Sequence, residues 1–393
     1  MVLRWQPIFS VDDITQQQWQ QLSNHKTQFS TPFMSYPFLK GLEVTGCVDG
    51  KTGWHSHHIA IFESKDTEKL VAFIPCYLKT HSYGEYVFDH AWANAYQHHQ
   101  IPYYPKLVSC IPFTPVTGSR MLYNKEANNS FEDLNAFVMG NADSIIEAAR
   151  ASSLHFLFVP EYQSNQLAQD KLMQRLSVQF VWQNKGYETF DDFMHVMTSR
   201  KRRSIRKERV AATKLSGTDN LVIKRLHGDL LTHQVLADFY LCYQQTYLKR
   251  SGHIGYLNKE FFEYLQTNMQ DEIMIVMAYH DEKCIASALF FYNEEQLFGR
   301  YWGALQEVSG LHFECCYYQG IEFAIEKRIR QFNPGTQGEH KILRGFEPTL
   351  CYSNHYLQHP DFQAAVKDFL QHEKIGIAQY KEQAQSVLPF KQG

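Results

Sequence analysis

The chain lacks most of the features that mark a non-globular or exported protein. No apolar run approaches the 18 residues that a membrane-spanning helix needs. The opening Met1-Val2-Leu3-Arg4-Trp5-Gln6-Pro7 holds no apolar leader core, so a cytoplasmic protein without a membrane span is expected. No Cys-x-x-Cys pair occurs among the eight cysteines, at 47, 76, 110, 242, 284, 315, 316 and 351. That scatter predicts reduced, mostly buried thiols rather than a disulfide framework. His55, His57 and His58 sit close together, but no Cys or carboxylate joins them at ligand spacing, so no metal is expected. There is no repeat of 20–50 residues and no low-complexity tract. A large net charge is missing too: 38 basic residues meet 41 acidic ones. No global pull towards nucleic acid or an anionic membrane follows, and any basic site must be local.

What is present is bulk and aromatic area. The 393 residues suit two domains better than one. Tyr and Phe number 23 and 28, enough to fill large cores or line a groove. In the first region, Ile59–Phe62 and Leu70–Pro75 are β-rich runs around a charged turn, which predicts a hairpin. An aromatic loop region is expected over 77–118. A helix from Phe131 to about Ser152 should lead into a strand, Leu154–Val159, closed by Pro160. A second region begins near Gln179. It reads as helices opening at Phe190 and Ser199, a strand at Leu221–Lys224, and helices over Leu230–Arg250 and Lys259–Met269. Three strands follow in quick order, at Ile273–Tyr279, Ile285–Tyr292 and Leu297–Trp302. Then come a long helix over Leu311–Arg330, a last strand near His340–Leu343 and a polar helix from Asp361 to about Ala384. The fold class is α/β with α+β mixed sheets.

From Leu221 onwards this order resembles the plan of a GNAT acyltransferase lobe. Several runs carry a longer resemblance: Pro32–Tyr36, Tyr77–Asp89, Tyr103–Leu107, Pro112–Gly118, Gly299–Gly303, Leu311–Gln319 and Gly338–Phe346. Tyr187–Phe193 followed by Ser199–Arg209 resembles the region between the lobes of Fem-like acyltransferases. Together they are similar to a bacterial family of predicted N-acyltransferases related to the Fem peptidoglycan-bridge enzymes. The resemblance implies tandem GNAT-like lobes over 1–178 and 179–393, with a basic inter-lobe helix at 199–215. It also implies N-acyl transfer from acetyl-CoA or another acyl-CoA to a small-molecule or peptide amine acceptor, with no tightly bound cofactor. One departure stands out. GNAT enzymes hold the coenzyme A pyrophosphate on an Arg/Gln-x-x-Gly-x-Gly/Ala turn at a helix N-terminus; here the turn is Glu307-Val308-Ser309-Gly310-Leu311-His312. Fem-like enzymes with that departure can use aminoacyl-tRNA, acting on a peptide or peptidoglycan precursor. A non-catalytic binding protein with a decayed site is the reading from a different class.

Transfer to an amine needs a base, an oxyanion donor and an acid for the leaving group. Gly338-Glu339-His340-Lys341 supplies acid, imidazole and amine together. On a strand Glu339 and Lys341 would share a face with His340 opposite; the alternative is a salt-bridged strand end. Glu339 or His340 is then the base, and Lys341 holds an anion. Glu314 and His312 open the long helix, where an acid also complements the helix dipole. Tyr318 or Tyr317 could serve as the acid or simply fill the core. Seven cations stand between Arg200 and Arg209. Arg202, Arg206 and Arg209 would share one helix face with Arg203 beside it, suiting coenzyme A phosphates, a tRNA backbone or a nucleotide-linked acceptor. The alternative is a solvated face paired to acids elsewhere. Arg300, on a central strand, needs a carboxylate or a ligand anion. His81, Tyr83, Glu85, Asp89 and Trp92 lie in the aromatic loop as the acceptor-binding candidates, with Glu85 and Asp89 gripping the ammonium.

Overall fold

A computed structural model describes residues 2–23, 31–64, 66–127, 129–169, 171–214, 221–336 and 338–391. The chain divides into two units, 1–178 with 350–379 and 179–349 with 380–393. The segment 350–379, which the sequence reading places in the second lobe, thus belongs to the first unit. The basic helix at Ser199–Ala212 is an element of the second unit rather than a linker; Leu215, the end expected for it, lies outside the described residues.

In the first unit the expected hairpin forms: His58–Glu63 pairs antiparallel with Asp66–Ile74. Leu3–Ile8 and Leu122–Tyr123 flank it. A second group of strands places Ser153–Val159 antiparallel to Glu347–Leu357 and parallel to Lys106–Ser109. Tyr77–Lys79 and Trp54–Ser56 continue outwards. Ser153–Val159 is buried along its whole length, as a strand covered on both faces must be. The helix expected over 131–152 is two helices, Phe131–Gly140 and Ala142–Ala149, broken at Asn141. Ser130 caps the first in a reciprocal box with Asp133. Leu134, Val138, Ile145 and Ile146 from these helices pack on Ile59, Ile74 and Leu154. The 77–118 region is not all loop: it contains Tyr77–Lys79, the helix His90–His98 and Lys106–Ser109.

The second unit carries the sheet order Leu221–His227, Ile273–His280, Lys283–Tyr292, Gln296–Ala304, Gln331–Asn333. The first four strands are antiparallel neighbours, and Gln331–Asn333 returns parallel to Gln296–Ala304. Helices His233–Ser251 and Lys259–Met269 pack Phe239, Tyr243, Phe262 and Leu265 into the core. Thr232 caps the longer one and Gly252, with φ 70°, ends it. The approach of this helix to the sheet is set by a missing side chain: a Cβ on Gly303 would lie 1.7 Å from the Cys242 carbonyl oxygen. Gly303→Ala therefore has to push the helix backbone off the strand. It is expected to cost on the order of 3 kcal/mol or more, against the usual ~1 kcal/mol of a point change. A denaturant midpoint within error of wild type would rule that out.

The long helix expected over 311–330 is interrupted. Leu311–Phe313 and Gln319–Glu326 are α-helical, but Glu314–Tyr318 is a π-helical turn in which the Gln319 N–H reaches the Glu314 carbonyl. Such one-residue insertions re-aim side chains and concentrate at functional sites. The strand expected near His340 is a 3-10 turn, Glu339–Arg344, bracketed by Gly338 at φ 101° and Gly345 at φ 84°. No helix among the described residues is long and apolar enough to cross a membrane.

Candidate functional site in the second unit

The π-helical turn carries Glu314, Tyr317 and Tyr318, the 3-10 turn carries Glu339, His340 and Lys341, and between the two the Tyr317 hydroxyl meets His340. A 3-10 turn repeats every three residues, so Lys341 and Arg344 point inward together while Glu339 and His340 face out. This corrects the strand expectation, in which Glu339 and Lys341 shared a face. Glu339 is exposed and accepts a hydrogen bond from the Tyr380 hydroxyl at 3.1 Å. It has no aim towards the other groups. His340 instead places Nε2 2.8 Å from the Tyr317 hydroxyl. Burial pushes the Tyr317 phenol far up, so it keeps its proton. Burial, with Arg344 and Lys341 nearby, lowers His340 below its usual value. With the proton of the neutral imidazole on Nδ1, the Tyr317 hydroxyl donates to His340 Nε2; with it on Nε2, the ring donates to the phenol oxygen. His312 completes the aromatic group, 6.0 Å from His340 and 5.4 Å from Tyr317 between ring centres. Burial, then the His340 neighbour, brings it down to about 4.

Lys341 is only 2% exposed. Its Nζ donates to the carbonyl oxygens of Gly335 at 2.7 Å and Thr336 at 3.2 Å. Burial, then the neighbouring Arg300 charge, pushes its amine down to about 7. Among the described residues no carboxylate pairs with it. Arg300 holds the same loop from the other side, through the Asn333 carbonyl and side-chain oxygen, each at 3.2 Å.

Two acids are already committed to arginines. Glu314, a catalytic candidate at the start of the long helix, accepts both Arg209 Nε at 2.9 Å and Nη2 at 2.8 Å, and Gln319 Nε2 at 2.7 Å. Arg209 also reaches Glu322 at 2.6 Å. So Glu314 is a buried clamp partner that holds three donors. Tyr318, expected as the acid, donates to Glu208, the one acid within the basic run and not among the expected site residues. Arg344 grips the same carboxylate, with Nε 3.0 Å from Oε2, and donates Nη1 to the His340 carbonyl at 2.7 Å. Its guanidinium sits 3.4 Å over the Phe313 ring. Glu208 and Arg344 thereby fix the turn that carries His340 and Lys341. Only a fold brings position 208 next to 344.

The basic helix splits by side. Arg209 turns inward. Arg202 donates to the Met197 carbonyl at 2.7 Å and to Ser199 at 3.3 Å, tying down its own N-terminus. Arg200, Arg203, Arg206 and Lys207 face solvent. Of these four, only Arg206 meets an acid among the described residues, Asp191 at 3.8 Å, and both are exposed. The expected single face of Arg202, Arg206 and Arg209 is therefore not what forms. The C-terminal half of this helix lies on the start of the helix at Leu311: a Cβ on Gly310 would be 3.0 Å from the Glu208 carbonyl oxygen and 3.7 Å from Ala212.

In the first unit the acceptor-binding candidates are differently occupied. Glu85 and Asp89 are each 3% exposed, and both bind Lys106: Glu85 at 2.7 Å, Asp89 closer still. The ammonium they hold is the chain's own, which corrects the expectation that they grip a substrate's. Lys79 lies 3.7 Å from Glu85 and 3.5 Å over the Trp54 ring. Trp92 is core, edge-on to His355 at 4.9 Å. His81 bonds the Thr52 carbonyl at 2.9 Å and receives the Tyr83 N–H at 3.2 Å. Tyr83 is exposed.

The model of the FemAB-like family, described as peptidoglycan biosynthesis/recognition, matches residues 10–392. No curated protein matches the chain. Among solved structures, FemX shares 12% identity with a TM-score of 0.51, over 90% of this chain and 98% of its own. The C-terminal domain of a protein described as a lysylphosphatidylglycerol synthetase, from Agrobacterium fabrum, shares 10% identity with a TM-score of 0.50, over 83% of this chain and 90% of its own. At such identities the likeness is one of fold.

Proposed function

Because the chain belongs to the FemAB-like family and is a GNAT-type acyltransferase, we propose that its second unit transfers an aminoacyl group from tRNA to the amine of a peptidoglycan-type peptide precursor. The amine nitrogen attacks the ester carbonyl. A C–N bond forms, the C–O bond to the ribose breaks, and the ribose hydroxyl leaves with a proton. In this reading Tyr317 passes the amine's proton to His340, which is neutral and hydrogen-bonded to it. Lys341 supplies positive charge to the tetrahedral oxyanion.

The observation that carries the donor is the packing at Gly310. A GNAT lobe offers its coenzyme A pyrophosphate the N-terminus of the helix that starts here at Leu311. In this chain that end lies under the Glu208–Ala212 turn, with the Glu314 carboxylate beside it. A bulky dianion meets backbone there, and the arginine nearest to it, Arg209, is already taken by Glu314 and Glu322. The exposed cations of Arg200, Arg203, Arg206 and Lys207 instead suit a phosphodiester backbone, which is read by charge.

The test compares donors on the same protein. Aminoacyl-tRNA should bind with a log K against log salt slope of about −3, as roughly three phosphate contacts give, and Arg203→Ala should flatten that slope by about 1. Acetyl-CoA should show no heat of binding at micromolar concentration. The opposite pattern, tight acetyl-CoA and no tRNA, would transfer the function to a coenzyme A thioester donor. Binding of neither would favour a non-catalytic binding protein.

A further inference from the structure

Cys242 and Cys284 come together across 42 residues of chain, with sulfur atoms 3.8 Å apart. Cys242 stands in the middle of the helix His233–Ser251, and Cys284 is the second residue of the strand Lys283–Tyr292. Neither takes part in the constellation around His340 and Lys341. A disulfide needs its sulfurs at about 2.05 Å, so this pair must close by roughly 1.8 Å.

The fold leaves the play for that closure on one side and denies it on the other. The helix is fixed, because its Cys242 carbonyl abuts Gly303. The strand end is not. Cys284 follows the two-residue turn Asp281–Glu282, both with positive φ, at 47° and 63°. The pairing then slips: Ala278 faces Ala286 and Tyr279 faces Cys284, which leaves Ile285 as an extra residue. A bulge next to a hairpin turn, at the end of a sheet, is where a strand yields most cheaply. Cys284 is also the partly exposed member, whereas Cys242 is buried. The Cys242 thiol, hydrogen-bonded to Cys284, lowers the Cys284 thiol below its usual value and is itself pushed up. Cys284 is thus the sulfur that an oxidant in solution reaches first.

We infer that Cys242 and Cys284 form a redox-modifiable pair that peroxide closes into an intramolecular disulfide, tying the helix His233–Ser251 to the sheet. The Cys284 thiolate attacks one peroxide oxygen, the O–O bond breaks, and the other oxygen leaves as hydroxide and takes a proton. The resulting sulfenic acid is attacked by the Cys242 sulfur, the S–S bond forms, and a second water departs. Two thiols and one hydrogen peroxide give one disulfide and two waters, with both sulfurs oxidised and both peroxide oxygens reduced. This inference is independent of the donor or acceptor in the transfer reaction.

The experiment uses the full chain with hydrogen peroxide as the probe, followed by alkylation, digestion and mass spectrometry. The expected product is one cross-linked peptide pair joining Cys242 to Cys284, lighter by about 2 Da than the two reduced peptides and restored by dithiothreitol. The unfolding midpoint should rise by several degrees on oxidation and fall back on reduction. Cys284→Ser and, separately, Cys242→Ala should each abolish the cross-link while keeping the reduced wild-type midpoint. Recovery of both thiols as alkylated peptides after peroxide would overturn the inference. So would over-oxidation of Cys284 without a cross-link, or a dominant link through Cys315 or Cys316.

Discussion

Lys341→Met should lower the transfer rate by about 10²–10³-fold, the loss typical of removing one oxyanion donor, without destabilising the protein. The two halves of that expectation come from the same geometry. The ammonium is buried, is shared only with two carbonyl oxygens, and sits beside Arg300. A cation in that setting disfavours folding, because the folded amine has dropped from 10.5 to about 7. The sign follows by linkage: below pH 7 the folded state must carry a proton it holds poorly, and stability rises as pH climbs from about 7 towards the unfolded value. Replacing the amine with a thioether of similar length removes that cost. The variant should therefore melt no lower than wild type at pH 7 while turning over far more slowly. A structural lysine would show the reverse, a lower midpoint with residual activity in proportion to folded protein. The pH profile gives a second readout. Activity needs His340 neutral and Lys341 charged, so it should rise through the lowered His340 value and decline as pH passes about 7. Lys341→Arg keeps the charge at all accessible pH and should extend the alkaline limb upward, at a reduced maximum. An unshifted alkaline limb in that variant would remove Lys341 from the reaction.

Much of the second unit could be read from residues alone, because its elements are marked by local signals. The three strands between Ile273 and Ala304 are β-rich runs separated by Asp281-Glu282 and Asn293-Glu294-Glu295, and the structure pairs them in that order. The helix over His233–Ser251 shows its apolar spacing and its stop at Gly252. What stayed illegible depended on distant partners. The strand Glu347–Leu357 belongs beside Ser153–Val159, some 200 positions earlier, and no local pattern announces a return across that distance. The same holds for Glu208 with Arg344 and for Tyr317 with His340. At 339–344 a signal was present and missed: glycines at 338 and 345, both in the left-handed region, bracket a six-residue turn too short for a strand flanked by loops. Glu85 and Asp89 show the opposite failure. Their acidity was legible, but the cation they serve, Lys106, stands 21 and 17 residues away in the chain.

That cation carries the largest expected effect on stability. Lys106 is 1% exposed, bonds Glu85, Asp89 and Ser82, and is held above its usual value because its two carboxylates outweigh the penalty of burial. Lys106→Met leaves two carboxylates in the core with one remaining cation, Lys79, at 3.7 Å from Glu85. Breaking a buried pair in this way costs about 3–5 kcal/mol, a drop of roughly 10 °C in a unit of this size. The pH dependence should change sign as well. In the wild type, burial raises Asp89 but Lys106 outweighs it, so its folded value lies below the unfolded one. That contribution is present above pH 4 and is lost as the pH falls through the depressed value. In the variant the pull of Lys106 is gone, burial outweighs the hydrogen bonds left on Asp89 and the Lys79 charge beside Glu85, and both carboxyls rise, as Glu85 already does. Acidification from pH 7 to 5 then protonates both in the folded state and restores stability, where in the wild type only Glu85 contributes such a gain and Asp89 contributes none. Lys106→Met with Asp89→Asn provides the control: one anion, Glu85, then faces one cation, Lys79, and the Tyr103 hydroxyl keeps an oxygen to donate to. The double variant should recover more than half of the loss at pH 7. If Lys106→Met alone melts within a degree or two of wild type, the four charges are not a coupled network and each carboxylate has found its own route to water.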